Sequence, residues 1–254
     1  MNNWLNPDNK FFSIMGKAFD MLVVNMLWLA FCVLLPMGSI LLVVQTDVYA
    51  LLVLTVLTVI PIVPATTAMY YTVVKVIRRE RSYALKEFFR SFKRNFKLGT
   101  GYSLLLAAAV FVMYIDFRYA WLLTQQGESA GSTYLGIFLI IALLISAVFT
   151  FLCPVLSRFD MKFGAILKTA FFMSTRHILT TLVLIVLMAA VLLGSYVILP
   201  GMFFLPAVGT LLASFLIERV FKKYMPAKKE RTEEEGSVMD AEEREDAKDE
   251  WYLE

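Results

Sequence analysis

Between Asp20 and Lys75 lies a tract in which Asp47 is the only charged residue, and it divides two uncharged runs, Met21 to Thr46 and Val48 to Val74. Two more runs, Leu98 to Ile115 and Ser129 to Ser157, are also free of charge. A helix needs about 20 predominantly apolar residues to cross a bilayer core, so each run predicts one crossing. From His177 to Ile217 no acid, lysine or arginine occurs, and Pro200-Gly201 stands near the middle. That run is about twice the required length and predicts two crossings joined by a tight turn. Pro206 interrupts the last crossing and Glu218 closes it, so a re-entrant segment is the competing reading there.

Composition agrees: 59% of residues are apolar, 18% are charged, and the mean hydropathy is +0.69. Ordinary soluble domains run near 45–50% and about 25%, so a single soluble domain is excluded. The expected fold is all-α, a polytopic transmembrane helical bundle with amphipathic interfacial helices on the cytoplasmic side. Its six spans are expected at about residues 21–45, 49–74, 99–117, 133–157, 177–199 and 202–220 of a membrane domain over 21–224. An interfacial amino-terminal segment, 1–20, precedes it. The first apolar run is too long for a signal h-region and has no small-x-small cleavage pattern beside it, so the first span is expected to stay as an anchor.

If six spans alternate, all but one of the 24 lysines and arginines fall on a single side, the exception being Arg118. Basic loops are held inside, which predicts a multi-pass membrane protein with both termini cytoplasmic. Residues 226–254 carry 12 acids and five basic residues, so the segment 225–254 is expected to be a solvated, disordered cytoplasmic tail.

On the inner side Ser82 is followed by Leu85, Phe88, Phe89, Phe92 and Phe96, interleaved with Lys86, Arg90, Lys93, Arg94 and Lys97. The spacing predicts an amphipathic helix capped by Ser82, with a phenylalanine stripe and basic flanks suited to an anionic leaflet. Packing on the membrane or the bundle is one reading. A partner-docking helix, like the coupling helices of transporter subunits, is the other, with Phe88, Phe89, Phe92, Arg94, Asn95, Phe96, Arg158 and Asp160 as its candidate residues. Nucleic acid is not expected, because the phenylalanines are needed for lipid or packing. The connector from Arg158 to Arg176 repeats the pattern with Phe159, Phe163, Ile166 and Ala170 on one face. At the amino terminus Phe11, Phe12, Met15 and Phe19 make a third short apolar face.

Ionisable groups inside a bilayer usually mark a transport or proton path, and none is evident within the runs. Asn25 is expected to make an interhelical hydrogen bond. The Pro36, Pro61 and Pro64 interruptions are expected to be packing kinks. The alternative is a solute path lined by Asn25, Pro36, Pro61, Pro64, Thr66 and Thr67, as broken helices build substrate sites in transporters. Arg158 is expected to form a structural ion pair, locally with Asp160 or with another loop. One histidine and two cysteines, Cys32 and Cys153, leave little for a zinc, redox or disulfide framework. No nucleotide-binding, zinc-protease or nucleophile-elbow spacing occurs. No catalytic residue, metal or cofactor is therefore expected, and no GxxxG face gives a handle on oligomeric state.

Several ordered blocks carry a family resemblance: Asn6-Pro7-Asp8 with Phe11-Phe12, Val24 to Trp28 with Pro36, Pro61 to Tyr71, Phe88 to Lys97, Pro154 to Asp160, Arg176-His177, and Ser214 to Tyr224. Over residues 6 to 225 the chain resembles the YesL-like family of bacterial integral membrane proteins. The interval from Pro36 to Pro61 departs from that pattern by an apparent extra hairpin. The resemblance implies a setting beside carbohydrate uptake systems in Gram-positive bacteria, with no established activity. The expected function is a non-enzymatic accessory membrane protein of ABC-type carbohydrate uptake, partnered by the lipid bilayer and by transporter permease subunits. A small-solute permease in its own right is the alternative.

Overall fold

The computed structural model describes residues 10–46, 52–78, 83–126 and 129–224; of these, 93% are helical and none is in a strand. The chain runs through α1 (Lys10–Leu29), a π-helical turn (Ala30–Leu34), α2 (Leu35–Thr46), α3 (Leu52–Val59), α4 (Ile62–Thr72) and a second π-helical turn (Val73–Arg78). It continues through α5 (Ala84–Gln125), α6 (Ser129–Arg158), α7 (Phe163–Arg176), α8 (Ile178–Val197), a 3-10 turn (Leu199–Phe203) and α9 (Leu205–Phe221).

Among the described residues five helical stretches are long and apolar enough to cross a membrane: Ile14–Gln45, Thr55–Arg78, Ala84–Gln125, Ala130–Arg158 and Ile178–Val197. The sixth expected span is the 17-residue α9, about 25 Å long at 1.5 Å per residue.

The prolines act differently. Pro36 lacks an N–H and would clash with the Cys32 carbonyl in a regular helix; the π turn at Ala30–Leu34 accommodates it, and α1 and α2 stay continuous. At Pro61 the chain turns, ending α3 and starting α4, while Pro64 occupies the first turn of α4, where a missing N–H is tolerated. α2 and α3 fill the interval between Pro36 and Pro61, joined where the Ser39 and Thr58 hydroxyls meet at 3.1 Å.

α4 is the axis of the bundle. In its most apolar 18-residue window the stretch through α4 is 56% buried inside the protein, against 11–17% in the corresponding windows of the other four. One side of it joins Val63, Tyr70, Tyr71 and Val74 to a core with Phe151, Leu152, Ile166, Leu184, Ile217 and Phe221. The other side joins Ala65, Ala68, Met69 and Val73 to Val24 of α1 and Ala84 and Phe88 of α5.

The separate amphipathic helix expected over Ser82–Lys97 is corrected by the structure, which runs it straight into the third span as the 42-residue α5. Tyr83, extended at φ −98° and ψ 134°, takes the N-cap position without a side-chain cap bond, one residue after the expected cap. Two glycines in the Leu98–Gly101 stretch ordinarily weaken a helix. Here they allow close approach: a Cβ on Gly99 would lie 2.8 Å from Pro64 Cγ, and one on Gly101 2.9 Å from the Phe163 ring. Likewise, the amino-terminal segment expected to stand apart is continuous with the first span from Lys10. The faces expected at Phe11 and Phe12, the Ser82 cap, the Asp47 turn and the acidic tail lie outside the described residues.

Candidate functional site

Tyr70 and Tyr71 are neighbours on α4, so their side chains leave the helix about 100° apart and enter two different polar clusters. The Tyr70 hydroxyl donates to Glu218 Oε1 at 2.9 Å. The same carboxylate of α9 receives the Arg158 guanidinium from the end of α6, and the two side chains are 4% and 1% exposed. Tyr71 accepts from Lys75 Nζ, one turn on, at 3.1 Å. Lys75 sits in the second π turn and also donates to Glu87 Oε2 of α5 at 3.0 Å, with 7% and 3% of these side chains exposed.

Arginines link the clusters. Arg94 donates to the Ser157 carbonyl at 3.2 Å and lies 5.4 Å over the Tyr71 ring. Arg78 donates to the Ser214 carbonyl at 3.2 Å and lies 4.5 Å over the Phe215 ring. Two buried ion pairs and two capped carbonyls thus join α4 and its π turn, α5, α6 and α9. Taking charges out of water is costly, and removing one member of such a pair costs about 3–5 kcal/mol because its partner is left uncompensated. π turns recur at functional positions, and Lys75 is held in one.

A second polar device supports the helix starts. Neither α4 nor α9 caps itself, for Pro61 and Phe204 occupy the N-cap positions without side-chain bonds. Their orphan amides are met from neighbouring helices. The Val63 N–H donates to Ser103 Oγ of α5 at 3.1 Å, and the Ala207 N–H donates to Asn25 Oδ1 of α1 at 3.0 Å. The Asn25 amide nitrogen in turn donates to the Met202 carbonyl at 2.9 Å, so both ends of this buried side chain serve backbone groups.

The expected docking residues are divided by the structure. Phe88 is fully buried, Asn95 is buried and bonded to Ser91, and Arg158 belongs to the ion pair with Glu218. Phe92 is half-buried and stacks on Phe31 at 5.0 Å. Phe89 and Phe96 remain 45% and 41% exposed, and Arg94 and Asp160 are exposed as well. Arg158 therefore pairs across to α9, not with the nearby Asp160.

Of the expected path residues, Thr66 donates to the Ile62 carbonyl at 2.8 Å and accepts from Trp28 Nε1 at 3.1 Å. Pro64 and Thr67 are buried, and Pro36 and Pro61 are half-buried. Among the described residues no three of His, Cys, Asp and Glu come together in a way that would hold a metal, and Cys32 and Cys153 are free thiols. A lateral apolar groove of about 250 Å³ opens where α5 and α6 diverge, lined by Leu105, Leu106, Leu144, Val148 and others, with Leu167 of α7 at its edge.

An ion pair was expected at Arg158, but its partner Glu218 and the whole Lys75–Glu87 pair were missed by sequence reasoning, because Lys75 and Glu218 border uncharged runs and read as flanks, and Glu87 lies in a basic connector. The available signal was the lone acid among bases: Glu87 stands between Arg81 and Lys97, and Glu218 ends an otherwise uncharged run.

A family model described as a protein of unknown function, DUF624, matches residues 21–117. The matched stretch runs from α1 through most of α5 and includes Tyr70, Tyr71, Lys75, Glu87 and Arg94, but neither Arg158 nor Glu218. No curated protein and no solved structure matches the chain.

Proposed function

We infer that this chain is a YesL-like, six-span protein of the Gram-positive bacterial cell membrane, with both termini cytoplasmic. It works as a non-enzymatic accessory subunit of ABC-type carbohydrate uptake. The observation that carries the docking role is the asymmetry of the first turns of α5. Their inner face is closed by Glu87, Phe88, Ser91 and Asn95, whereas the outer face presents Leu85, Phe89 and Phe96 at 54%, 45% and 41% exposure among the exposed Lys86, Lys93 and Lys97. Apolar anchors rimmed by like charge suit a protein partner with a complementary acidic rim. The carbohydrate setting is supported by the YesL-like resemblance alone.

The test is affinity purification in mild detergent from the native host grown on several glycans, with co-purifying proteins identified by mass spectrometry. Phe89→Asp is the variant of choice, because Phe92 stacks on Phe31 and its loss would confound docking with folding. Permease subunits recovered with the wild type and lost with Phe89→Asp support the reading. A protein isolated under every condition overturns it. Solute flux through the purified protein alone in proteoliposomes would favour the permease instead.

A further inference from the structure

Three elements meet at one corner of the bundle. Arg176 ends α7, with its guanidinium 5.7 Å over the Phe172 ring. His177 separates α7 from α8, and its Nε2 is 3.0 Å from the hydroxyl of Tyr224, just past α9. Tyr224 also meets the Phe172 ring edge-on at 6.1 Å. Arg176 and Lys223 are exposed, and His177 registers both: burial first, then the Lys223 and Arg176 charges, holds it below its ordinary value of 6.5. The carboxylate nearest to Lys223 in sequence, Glu218, is turned inward to Arg158 and Tyr70. Both charges therefore act on the one imidazole between α7 and Tyr224, and among the described residues neither has an acidic partner. Beside them starts an aliphatic strip at helical spacing, Leu179, Leu182, Val183 and Val186, which are 78%, 43%, 54% and 68% exposed.

Cations at the foot of an exposed aliphatic strip match one chemical class, a phosphate joined to acyl chains. We propose that Arg176, held over the Phe172 ring, and Lys223, the residue before Tyr224, bind the phosphate of an anionic phospholipid whose chains lie along the α8 strip. Arginine's planar fork matches phosphate oxygens in a bidentate way, and basic side chains near an anionic leaflet gain affinity in proportion to their number. Inorganic phosphate shares the headgroup chemistry but leaves the strip uncovered. The acidic segment 226–254, which follows Tyr224 in sequence, offers charge without chains.

The experiment titrates delipidated full-length protein in neutral detergent with dioleoyl phosphatidylglycerol and, separately, dioleoyl phosphatidylcholine, counting bound lipid by native mass spectrometry. Phosphatidylglycerol is expected to bind at least tenfold more tightly. Removing two charges in Arg176→Gln/Lys223→Gln is expected to weaken it by roughly tenfold or more, while Arg176→Lys/Lys223→Arg retains binding. Lys162→Gln/Lys168→Gln, with the same change in net charge along α7, is expected to leave it unchanged. Equal binding of the two lipids, or equal loss in the Lys162/Lys168 variant, overturns the proposal. So does displacement of phosphatidylglycerol by millimolar inorganic phosphate, which would mean a small-anion site, or by an added peptide of residues 226–254, which would make that segment the occupant.

Discussion

The two halves of α5 are one unbroken helix in two different environments. From Ala84 to Ser103 it buries Ala84, Glu87, Phe88, Ser91, Asn95, Gly99, Tyr102 and Ser103 at spacings of three and four; from Leu104 to Gln125 it buries Ala120 alone. α6 mirrors this, with Phe151 to Arg158 buried and Ile137 to Leu144 mostly exposed. The Ala84–Ser103 and Phe151–Arg158 halves, inner in the sense of burial, interlock through charge and hydroxyls, whereas the other, outer halves form a hairpin whose apolar sides face outward. Helix continuity thus says little about packing; the residue types on each turn decide it. Where a bilayer surrounds the chain, lipid tails are as apolar as Leu, so the outer hairpin needs no protein cover. The inner turns carry groups that lipid cannot satisfy and must close on one another.

The sharpest way to break this contrast is Glu218→Gln, which removes the buried carboxylate that Arg158 and Tyr70 share. Stability is expected to fall by about 3–5 kcal/mol, read as loss of the monodisperse peak after graded heating in detergent. Arg158→Met/Glu218→Leu, which removes both charges, is expected to recover most of it; a single variant that melts like the wild type would sink the view that the ionic centre closes the inner half. Next is Asn25→Leu, which orphans the Ala207 N–H and the Met202 carbonyl, at an expected cost of about 2–4 kcal/mol. Faster hydrogen exchange at the Ala207 amide would report it. Gly99→Leu drives a side chain into Pro64 and is expected to cost about 1–3 kcal/mol. By contrast, Val112→Ala on the outer half is expected to stay within about 0.5 kcal/mol, as for other exposed positions. If these two variants shift the melting point equally, the halves are not as different as their burial implies.

The smallest effect concerns pH. His177 is held below 6.5 in the folded chain, so the unfolded chain takes up its proton first as pH falls. Its contribution to stability is therefore complete above the unfolded value and is lost as pH drops through it toward the folded value. In lipid-free detergent the wild type is expected to lose slightly more stability between pH 7 and pH 5 than His177→Gln, measured by thermal melts in matched buffers.

Much of the helix content was legible because uncharged runs of bilayer length have few folded alternatives. The face of α7 was legible in part: of the four residues expected on one side, Ile166 and Ala170 are buried and Phe159 is half-buried, but Phe163 is 38% exposed. Asn25 makes the expected interhelical bonds. The union of the amphipathic segment with the third span was not legible, because the two were divided where the basic residues end at Lys97, and the packing of Pro64 and Phe163 against Gly99 and Gly101 is unseen in the sequence. Nor was the ionic centre. A charge at the end of an apolar run looks the same in sequence whether it faces water or another helix, and the partners lie far apart: 60 residues separate Arg158 from Glu218. The division of the docking stripe into buried Phe88 and exposed Phe89 follows from helix geometry only once the position of α4 is known.

The bond between Asn25 and Ala207 spans 182 residues. At about 5–20 residues per second, a ribosome takes on the order of ten to forty seconds to go from one to the other. During that interval the first span waits in the bilayer with an amide side chain whose eventual partners have not been made. The Asn25 position is therefore closed only by α9, the last of the described helices, and a chain stalled before it keeps that polar position open.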